Sequence, residues 1–429
     1  VNQADSLGIE EELRARGATA APSPDRADVV IVNTCSVTSS ADQSARQTVR
    51  RLARINPGAQ VVVTGCYATR QPDEIHALPN VLRVVSNVEK SSLVSSLAIQ
   101  LGLTTAERFG DGDGGCGAAI EPGIAGRTAF TLRVQTGCAQ PCAYCIIPVT
   151  RGEPRSVPVC AVLAEVDRIA DAGFKEIALT GVHLGSYGRD LHPASSLSEL
   201  LRALAARGES PNATPDFHHG LLESGSRVRF RISSLEPMDC SPEVIDLVAS
   251  GDGLAPHFHL PLQHASDRML AAMRRPYTLA DYADLVESIR ARIPAAAIGS
   301  DVIVGFPGET DEDFDELCAY LERSPLTHLH VFPYSDRPGT AASAMSEKVH
   351  GAVVRERAAR VRASGHRLAV KFRESQRGTI HRALTLEDGS LAVTGNYLKV
   401  RIPPGRVRNE WVRVRITSVD ETGMTGEIS

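Results

Sequence analysis

The chain has 429 residues, 42% of them hydrophobic, 23% charged and 4% aromatic, and a formal charge of −5. That length predicts several domains with cores that need no disulfide staples, and the composition excludes collagen-like, mucin-like and wholly disordered chains. No apolar run approaches the roughly 20 residues of a membrane span and no secretory signal stands at the start, so a cytoplasmic protein without membrane contact is expected.

Nine cysteines is an odd number, and thiols in a reducing compartment are more often metal-binding or catalytic than bridged. The chain opens at Val1, so the sequence is expected to lack its native beginning. The charge is uneven. Residues 346–415 carry 16 Lys/Arg against 6 Asp/Glu, leaving 30 against 45 elsewhere. A basic end on an acidic body is either a nucleic-acid footprint or a solvated charged helix followed by a basic surface.

Residues 2–16 carry a helical pattern ended by Gly17, and residues 28–35 read as a buried, parallel-type strand. Residues 39–55 have helical spacing and stop at Asn56-Pro-Gly58, before a second buried strand at 60–66. This βαβ grammar predicts a small parallel sheet covered by helices. A helix at residue 2 of such a unit should follow a strand, so a first strand and its exit loop are expected ahead of Val1. A Gly-rich stretch, 105–126, reads as a flexible linker, and 207–226 as a surface insertion. Strands are predicted at 130–135, 176–180, 228–233, 257–262, 298–304 and 328–332, with helices such as 159–172 and 279–292 between them. Six such units fit an open or partial (β/α) barrel rather than the eight-fold one. A basic helix near 353–373 then leads into short strands and turns that read as a small β-barrel of a kind that binds RNA. The expected fold class is α/β: a parallel α/β domain, a partial barrel and a C-terminal β-barrel.

Cys138-Ala-Gln-Pro-Cys142-Ala-Tyr-Cys145 is the strongest chemical signal. Three thiolates so spaced, just after the first barrel strand, can wrap one soft metal centre. Three ligands suit a [4Fe–4S] cluster with one iron open to a substrate, whereas a zinc site would draw a fourth ligand from elsewhere. Cys35 and Cys66 each end a predicted strand. If those strands are parallel neighbours, both sulfurs emerge at one sheet edge, as part of a second metal site or as structural thiols. Cys160, Cys240 and Cys318 read as core or surface thiols, and Cys116 as a linker thiol with a stand-in ligand role as its alternative.

These residues resemble those of the radical S-adenosylmethionine (SAM) methylthiotransferases that modify tRNA. Cys138, Cys142 and Cys145 match the radical SAM triad, and Cys145-Ile-Ile-Pro-Val-Thr-Arg-Gly152 the stretch after it. Asn33-Thr-Cys35 and Thr64-Gly-Cys66 match the domain that holds an auxiliary cluster, and the chain's end resembles the RNA-binding TRAM barrel. Val1-Asn-Gln-Ala-Asp-Ser6, Ala41-Asp-Gln-Ser-Ala-Arg-Gln47 and Pro57-Gly-Ala-Gln-Val-Val-Val-Thr-Gly-Cys-Tyr67 are most similar to the MtaB-type branch, which acts on N6-threonylcarbamoyladenosine. The resemblance implies an auxiliary-cluster domain over 1–104, the linker over 105–126, a radical SAM partial barrel over 127–370 and a TRAM-like barrel over 371–429. The family's third auxiliary ligand precedes the match to Val1, so an auxiliary [4Fe–4S] cluster is expected to be incomplete here.

What the resemblance implies for the chemistry is methylthiolation of C2 of an adenine at position 37 of tRNA. The open iron chelates SAM, electron transfer yields a 5′-deoxyadenosyl radical, a second SAM supplies the methyl group and the auxiliary cluster the sulfur. Thr180, Gly181, His183, Ser233, Ser234, Glu236, Asp301 and Gly305, at barrel strand ends, are the expected SAM contacts. His183 is a candidate base or a satisfied structural histidine, and no catalytic acid or base is assigned. Gln263-His264 and Arg274-Arg275-Pro-Tyr277 mark a substrate entrance or a surface basic pair. Lys399, Arg401, Arg406, Arg408, Arg413 and Arg415 are the expected phosphate contacts, with Tyr397 and Trp411 stacking on bases or, for Trp411, filling the barrel core. The partners expected are tRNA and an electron donor of flavodoxin or ferredoxin type, with the protein a monomer. The alternatives are a related methylthiotransferase for isopentenyladenosine tRNA or a ribosomal-protein aspartate, and a non-catalytic RNA-binding protein with structural zinc.

Overall fold

The computed structural model describes residues 1–102, 120–123, 127–208, 228–420 and 423–429. Cys116, nearly all of the Gly-rich linker and most of the 207–226 insertion lie outside the described residues. By packing, the chain forms two units. One is Val1–Ala119, Gln135–Val157 and Ser335–Ala344, and the other is Ile120–Val134, Pro158–Tyr334 and Met345–Ser429.

The first unit begins with α1 (Asn2–Ala15), β1 (Val29–Thr34), α2 (Ser39–Ile55), β2 (Gln60–Gly65), α3 (Cys66–Arg70), α4 (Pro72–His76), β3 (Val81–Val85) and α5 (Leu93–Leu101). Helix α2 starts where it does because the Thr38 hydroxyl accepts the Ala41 N–H at 3.2 Å. The three strands form a parallel sheet with β2 in the middle. Val61 and Val63 pack on Ala45, Val49 and Tyr67, while Val62 packs on Ile9, Leu93 and Leu97 across the sheet. Burial on both faces is why β2 reads as an unbroken apolar run.

Strand β4 (Phe130–Arg133) belongs to the second unit, and β5 (Gln135–Thr136), α6 (Ile147–Arg151) and β6 (Arg155–Ser156) to the first. The strand expected over 130–135 therefore splits. Val134 donates its N–H to Thr180, whereas Gln135 and Thr136 pair with Ser156 and Arg155.

The second unit continues through α7 (Val159–Asp171), β7 (Glu176–Thr180), α8 (Leu197–Gly208), β8 (Arg229–Ile232), α9 (Pro242–Ala249), β9 (His257–His259), α10 (Asp267–Ala272), α11 (Leu279–Arg292), β10 (Ala297–Val304), α12 (Asp311–Arg323), β11 (His328–Pro333) and α13 (Gly351–Ser375). Parallel sheets β4-β7-β8 and β11-β10-β9 meet through the bridges Phe230–Leu254 and Ser234–His259, giving the expected six-stranded open barrel. The strand expected over 257–262 is regular only to His259, because Pro261 has no N–H to give the ladder. Tyr282 on α11 bonds Ser300, and Gly365 on α13 packs on Leu329, so those residues face the helical layer. Their neighbours Gly299, Asp301, His328 and His330 face the concave side.

Last come β12 (Ile380–Leu386), β13 (Leu391–Thr394), β14 (Lys399–Arg401), β15 (Trp411–Asp420) and β16 (Gly423–Ile428), a closed barrel in the order β12-β13-β14-β16-β15. Ala383, Ala392, Val400, Val412, Val414 and Ile416 fill it. It docks under the N-terminal ends of the parallel strands through buried charge. Glu176 accepts from Arg229 Nε at 2.8 Å and Arg231 Nε at 3.2 Å, while those guanidiniums donate to the carbonyls of Val393 at 3.2 Å and Gly395 at 2.9 Å. Among the described residues no helix is long and apolar enough to cross a membrane.

Candidate metal centre

The three closely spaced cysteines sit on the loop between β5 and α6, and the loop is shaped by backbone constraints. Gly137 has φ +77°, and a Cβ there would lie 1.9 Å from the Glu153 carbonyl oxygen, so only glycine lets the loop pass this close to the backbone at Glu153. The Cys138 N–H donates to Gly152 at 3.0 Å, and the Cys145 N–H to Cys142 at 3.1 Å. All three cysteines are half-buried. The Cys138 Sγ accepts the Gln140 N–H at 3.4 Å, and the Cys145 Sγ the Ile147 N–H at 3.5 Å. Three thiols on one loop, two of them under backbone N–H groups, are a donor set that fits an iron–sulfur cluster, whose sulfurs take such bonds.

Cys35 and Cys66 follow β1 and β2, which are parallel neighbours in register at Thr34–Gly65, so both emerge at one sheet edge. Cys35 is exposed and Cys66 buried. Gly65 has φ +100°, and a Cβ there would lie 2.2 Å from the Thr34 carbonyl oxygen. Gly65→Ala is therefore expected to destabilise this unit by about 3 kcal/mol, read as a loss of denaturation midpoint and of protection of Cys66 from alkylation.

Several residues around these thiols carried no motif. Asn87 donates to the Cys66 Sγ at 3.5 Å and to the Thr150 carbonyl at 2.8 Å, which ties the sheet edge to α6. Among the described residues its buried Oδ1 has no hydrogen-bond partner. Asp5 is buried and shared by Lys90 at 3.0 Å and Arg151 at 3.3 Å, which links α1 to the same helix. Burial lowers the Lys90 pKa, and Asp5 and the neighbouring Cys66 oppose that shift. Asp42 accepts from Arg337 at 2.7 Å and from Ser36 at 2.8 Å, holding residues 335–344 beside the Cys35 turn. Only the tertiary fold brings Asp5, Asp42, Asn87, Lys90 and Arg337 to this edge; isolated polar residues have no sequence periodicity.

In the second unit, Thr180, Ser233 and Ser234 lie at adjacent strand ends, with Thr180 buried and Gly181 following it. His183 is buried and bonds Asp239 at 2.7 Å, and Arg189 holds the other Asp239 oxygen at 2.8 Å, an arrangement that satisfies the imidazole. Glu236 pairs with Arg275, whose side chain is buried beside Tyr277; Arg275 is no surface cation, whereas Arg274 is exposed. Gly305 gives its N–H to Glu309 at 2.7 Å and packs under Val354 of α13. Asp301 accepts from His259 at 2.9 Å and lies 3.3 Å from His330.

On the C-terminal barrel, Lys399 and Arg401 are exposed on β14, and Arg413 and Arg415 project outward from β15, across β16. Arg406 pairs with Glu410 at 2.8 Å, and Arg408 bonds the Gly123 carbonyl at 3.0 Å. Trp411 is part-buried and lies outside the apolar group that fills the barrel. It lies between Arg229 at 5.0 Å and Arg382 at 3.9 Å, at the seam with the parallel strands. Tyr397 lies under Arg231 at 4.5 Å and beside His257 at 5.3 Å.

The Radical SAM superfamily model matches residues 132–321, and that of the Uncharacterized protein family UPF0004 matches residues 1–86. The chain is 34% identical over 423 residues to "Threonylcarbamoyladenosine tRNA methylthiotransferase MtaB" of Aquifex aeolicus, covering 97% of each. It is 30% identical over 458 residues to a "tRNA-2-methylthio-N(6)-dimethylallyladenosine synthase" of Alkalilimnicola ehrlichii, covering 100% of this chain and 95% of that one. In fold it is similar to the radical SAM methyltransferase TsrM of Kitasatospora setae, with TM-score 0.52 and 17% identity, covering 78% of this chain and 66% of TsrM. Identity with enzymes along the whole chain sets aside the non-catalytic zinc alternative. With the three-cysteine loop and the six-stranded parallel barrel beside it in the sequence, that identity establishes that the chain belongs to the radical SAM tRNA methylthiotransferase family.

Proposed function

We propose that this enzyme adds a methylthio group to C2 of N6-threonylcarbamoyladenosine at position 37 of tRNA. The observation that carries the substrate is the 34% identity, over 97% of both chains, to a relative whose name states that activity. The 30% identity to a dimethylallyladenosine synthase keeps the isopentenyladenosine branch as the second reading.

A [4Fe–4S] cluster on Cys138, Cys142 and Cys145 supplies, when bound, the one-electron chemistry that replacing an unactivated C2–H requires. The chain's part is to hold and orient. Gly137 and the Cys142–Cys145 turn set the three thiols on one loop. Asn87 and Lys90 place a hydrogen-bond donor and an ammonium beside Cys66. With Cys35 at the same edge, these residues support a second, auxiliary cluster for the sulfur. Thr180, Gly181, Ser233, Ser234 and Glu236, on adjacent strand ends, are the proposed SAM side, and Lys399, Arg401, Arg413 and Arg415 the proposed phosphate contacts. The remaining parts of the reading are a flavodoxin- or ferredoxin-type reductant, a monomer and a cytoplasmic site of action.

The test is anaerobic reconstitution with iron and sulfide, followed by reaction with SAM, reductant and two anticodon stem-loops. One carries N6-threonylcarbamoyladenosine, the other isopentenyladenosine. Methylthiolation of the first at a rate at least about tenfold above the second is expected; preference for the second moves the enzyme to the other branch.

A further inference from the structure

The concave face of β9, β10 and β11 carries ionisable groups in an unusual concentration. His257 and His328 stack with ring centroids 6.0 Å apart, and above them His259 Nε2 and His330 Nδ1 lie 2.9 and 3.3 Å from the same Asp301 oxygen, Oδ1. The register makes this arrangement unavoidable. Gly299 pairs with His259 on one side and His328 on the other, and Asp301 pairs with His330. Two His-x-His repeats on flanking strands therefore turn all four imidazoles to one face. Gly299 leaves room for them, since a Cβ there would meet the His328 ring at 2.1 Å.

Burial opposes ionisation of Asp301, but hydrogen bonds from His259 and His330 overcome it and hold the carboxyl at about 2. The bond to Asp301 raises His330, whereas burial lowers His328 to about 4. His330 is also the exposed member of the group, with a side chain 56% exposed. With Nδ1 facing Asp301 at 3.3 Å, Nε2 is the other ring nitrogen, and it donates when the ring is protonated, the form that a neighbouring carboxylate favours. An apolar N6 substituent would strip water from these groups without replacing their hydrogen bonds. A substituent bearing a carboxylate, a hydroxyl and a urea would replace them.

We propose that His330, oriented by Asp301, is a specificity-determining residue that donates a hydrogen bond from Nε2 to the carboxylate of the substrate's threonylcarbamoyl group. This inference rests on the substrate reading above and deepens it. The test uses the reconstituted holoenzyme, a stem-loop with the threonylcarbamoyl carboxylate intact and the same stem-loop with that carboxylate as its methyl ester. The wild type is expected to bind the acid about 10- to 100-fold more tightly than the ester, the worth of one hydrogen bond to a charged group. His330→Gln and His330→Phe are each expected to erase that preference. They should raise KM for the acid at least about tenfold, change kcat by less than about threefold, and leave SAM affinity unaltered. A preference retained by both variants overturns the inference. So does a parallel loss of SAM affinity, which would assign the group to the cofactor. Three donors within 4.8 Å could also hold a divalent ion, so a stoichiometric metal lost with His330 would overturn it as well. Failure of the wild type to methylthiolate the acid stem-loop removes the substrate reading itself, whereas turnover with unchanged preference in the variants removes only the role of His330.

Discussion

Cys145→Ala is expected to abolish methylthiolation and to remove about four iron atoms per chain from the reconstituted protein. Its thiol has no substitute on the loop: Cys138 and Cys142 are the other two donors, and the turn that sets the spacing runs through the Cys142–Cys145 hydrogen bond. Without the cluster the reaction has no source of one-electron chemistry, so the rate should fall by more than about a million-fold, to that of the uncatalysed exchange. Iron analysis, the visible absorption of the cluster and SAM consumption check this together. Cys66→Ala separates the two sets of thiols. It is expected to keep SAM consumption while losing sulfur insertion. Cys160→Ser, on an exposed site of α7, should change none of these.

Glu176→Ala is expected to destabilise the second unit by about 3–5 kcal/mol, because it leaves two guanidiniums facing each other without their shared carboxylate. Both arginines and the glutamate are buried, and the same guanidiniums hold the strand-end carbonyls of the C-terminal barrel. Loss of the pair should therefore release the barrel's dock, seen as faster amide exchange along β13 and as quicker proteolysis. Burial raises the Glu176 pKa, but Arg229 and Arg231 more than reverse this and hold it at about 2, below its ordinary 4.5. The folded-state value is depressed. The stabilisation is thus fully present above about pH 4.5 and is lost as the pH falls towards 2. Acid denaturation of the wild type should show this loss, and Glu176→Ala should flatten that part of the curve.

Much of the fold was legible in the chain because its signals are local. The run Val61-Val-Val63 announces a strand buried on both faces, and the structure places a different cluster on each. The cysteine loop was legible for the same reason, since all its donors fall within eight residues. Cys35 and Cys66 were legible as strand ends, and their shared edge depended only on parallel pairing. The group on β9, β10 and β11 was not read, although it left a trace. Residues 257–259 and 328–330 are both His-x-His, a period that puts both histidines of a strand on one face. That trace names no partner until the register joins Asp301 to His330.

Trp411 shows the limit from the other direction. Its place in a strand suggested barrel core, yet it lies beside Arg229 and Arg382 at a docking seam. No rule of composition or period predicts a seam between two separately patterned layers.

By itself the sequence determined what periodicity and spacing can encode: a parallel α/β start, six barrel strands, a closing β-barrel and a three-thiol loop. Each rests on residues a few positions apart, so short-range geometry suffices. The tertiary structure alone decided which distant charges meet. It set Asp5 against Lys90 and Arg151, Asp42 against Arg337, Glu176 against Arg229 and Arg231, and Asp301 between two imidazoles. A buried charge persists only when paired, and its partner is chosen by strand register and helix packing rather than by distance along the chain.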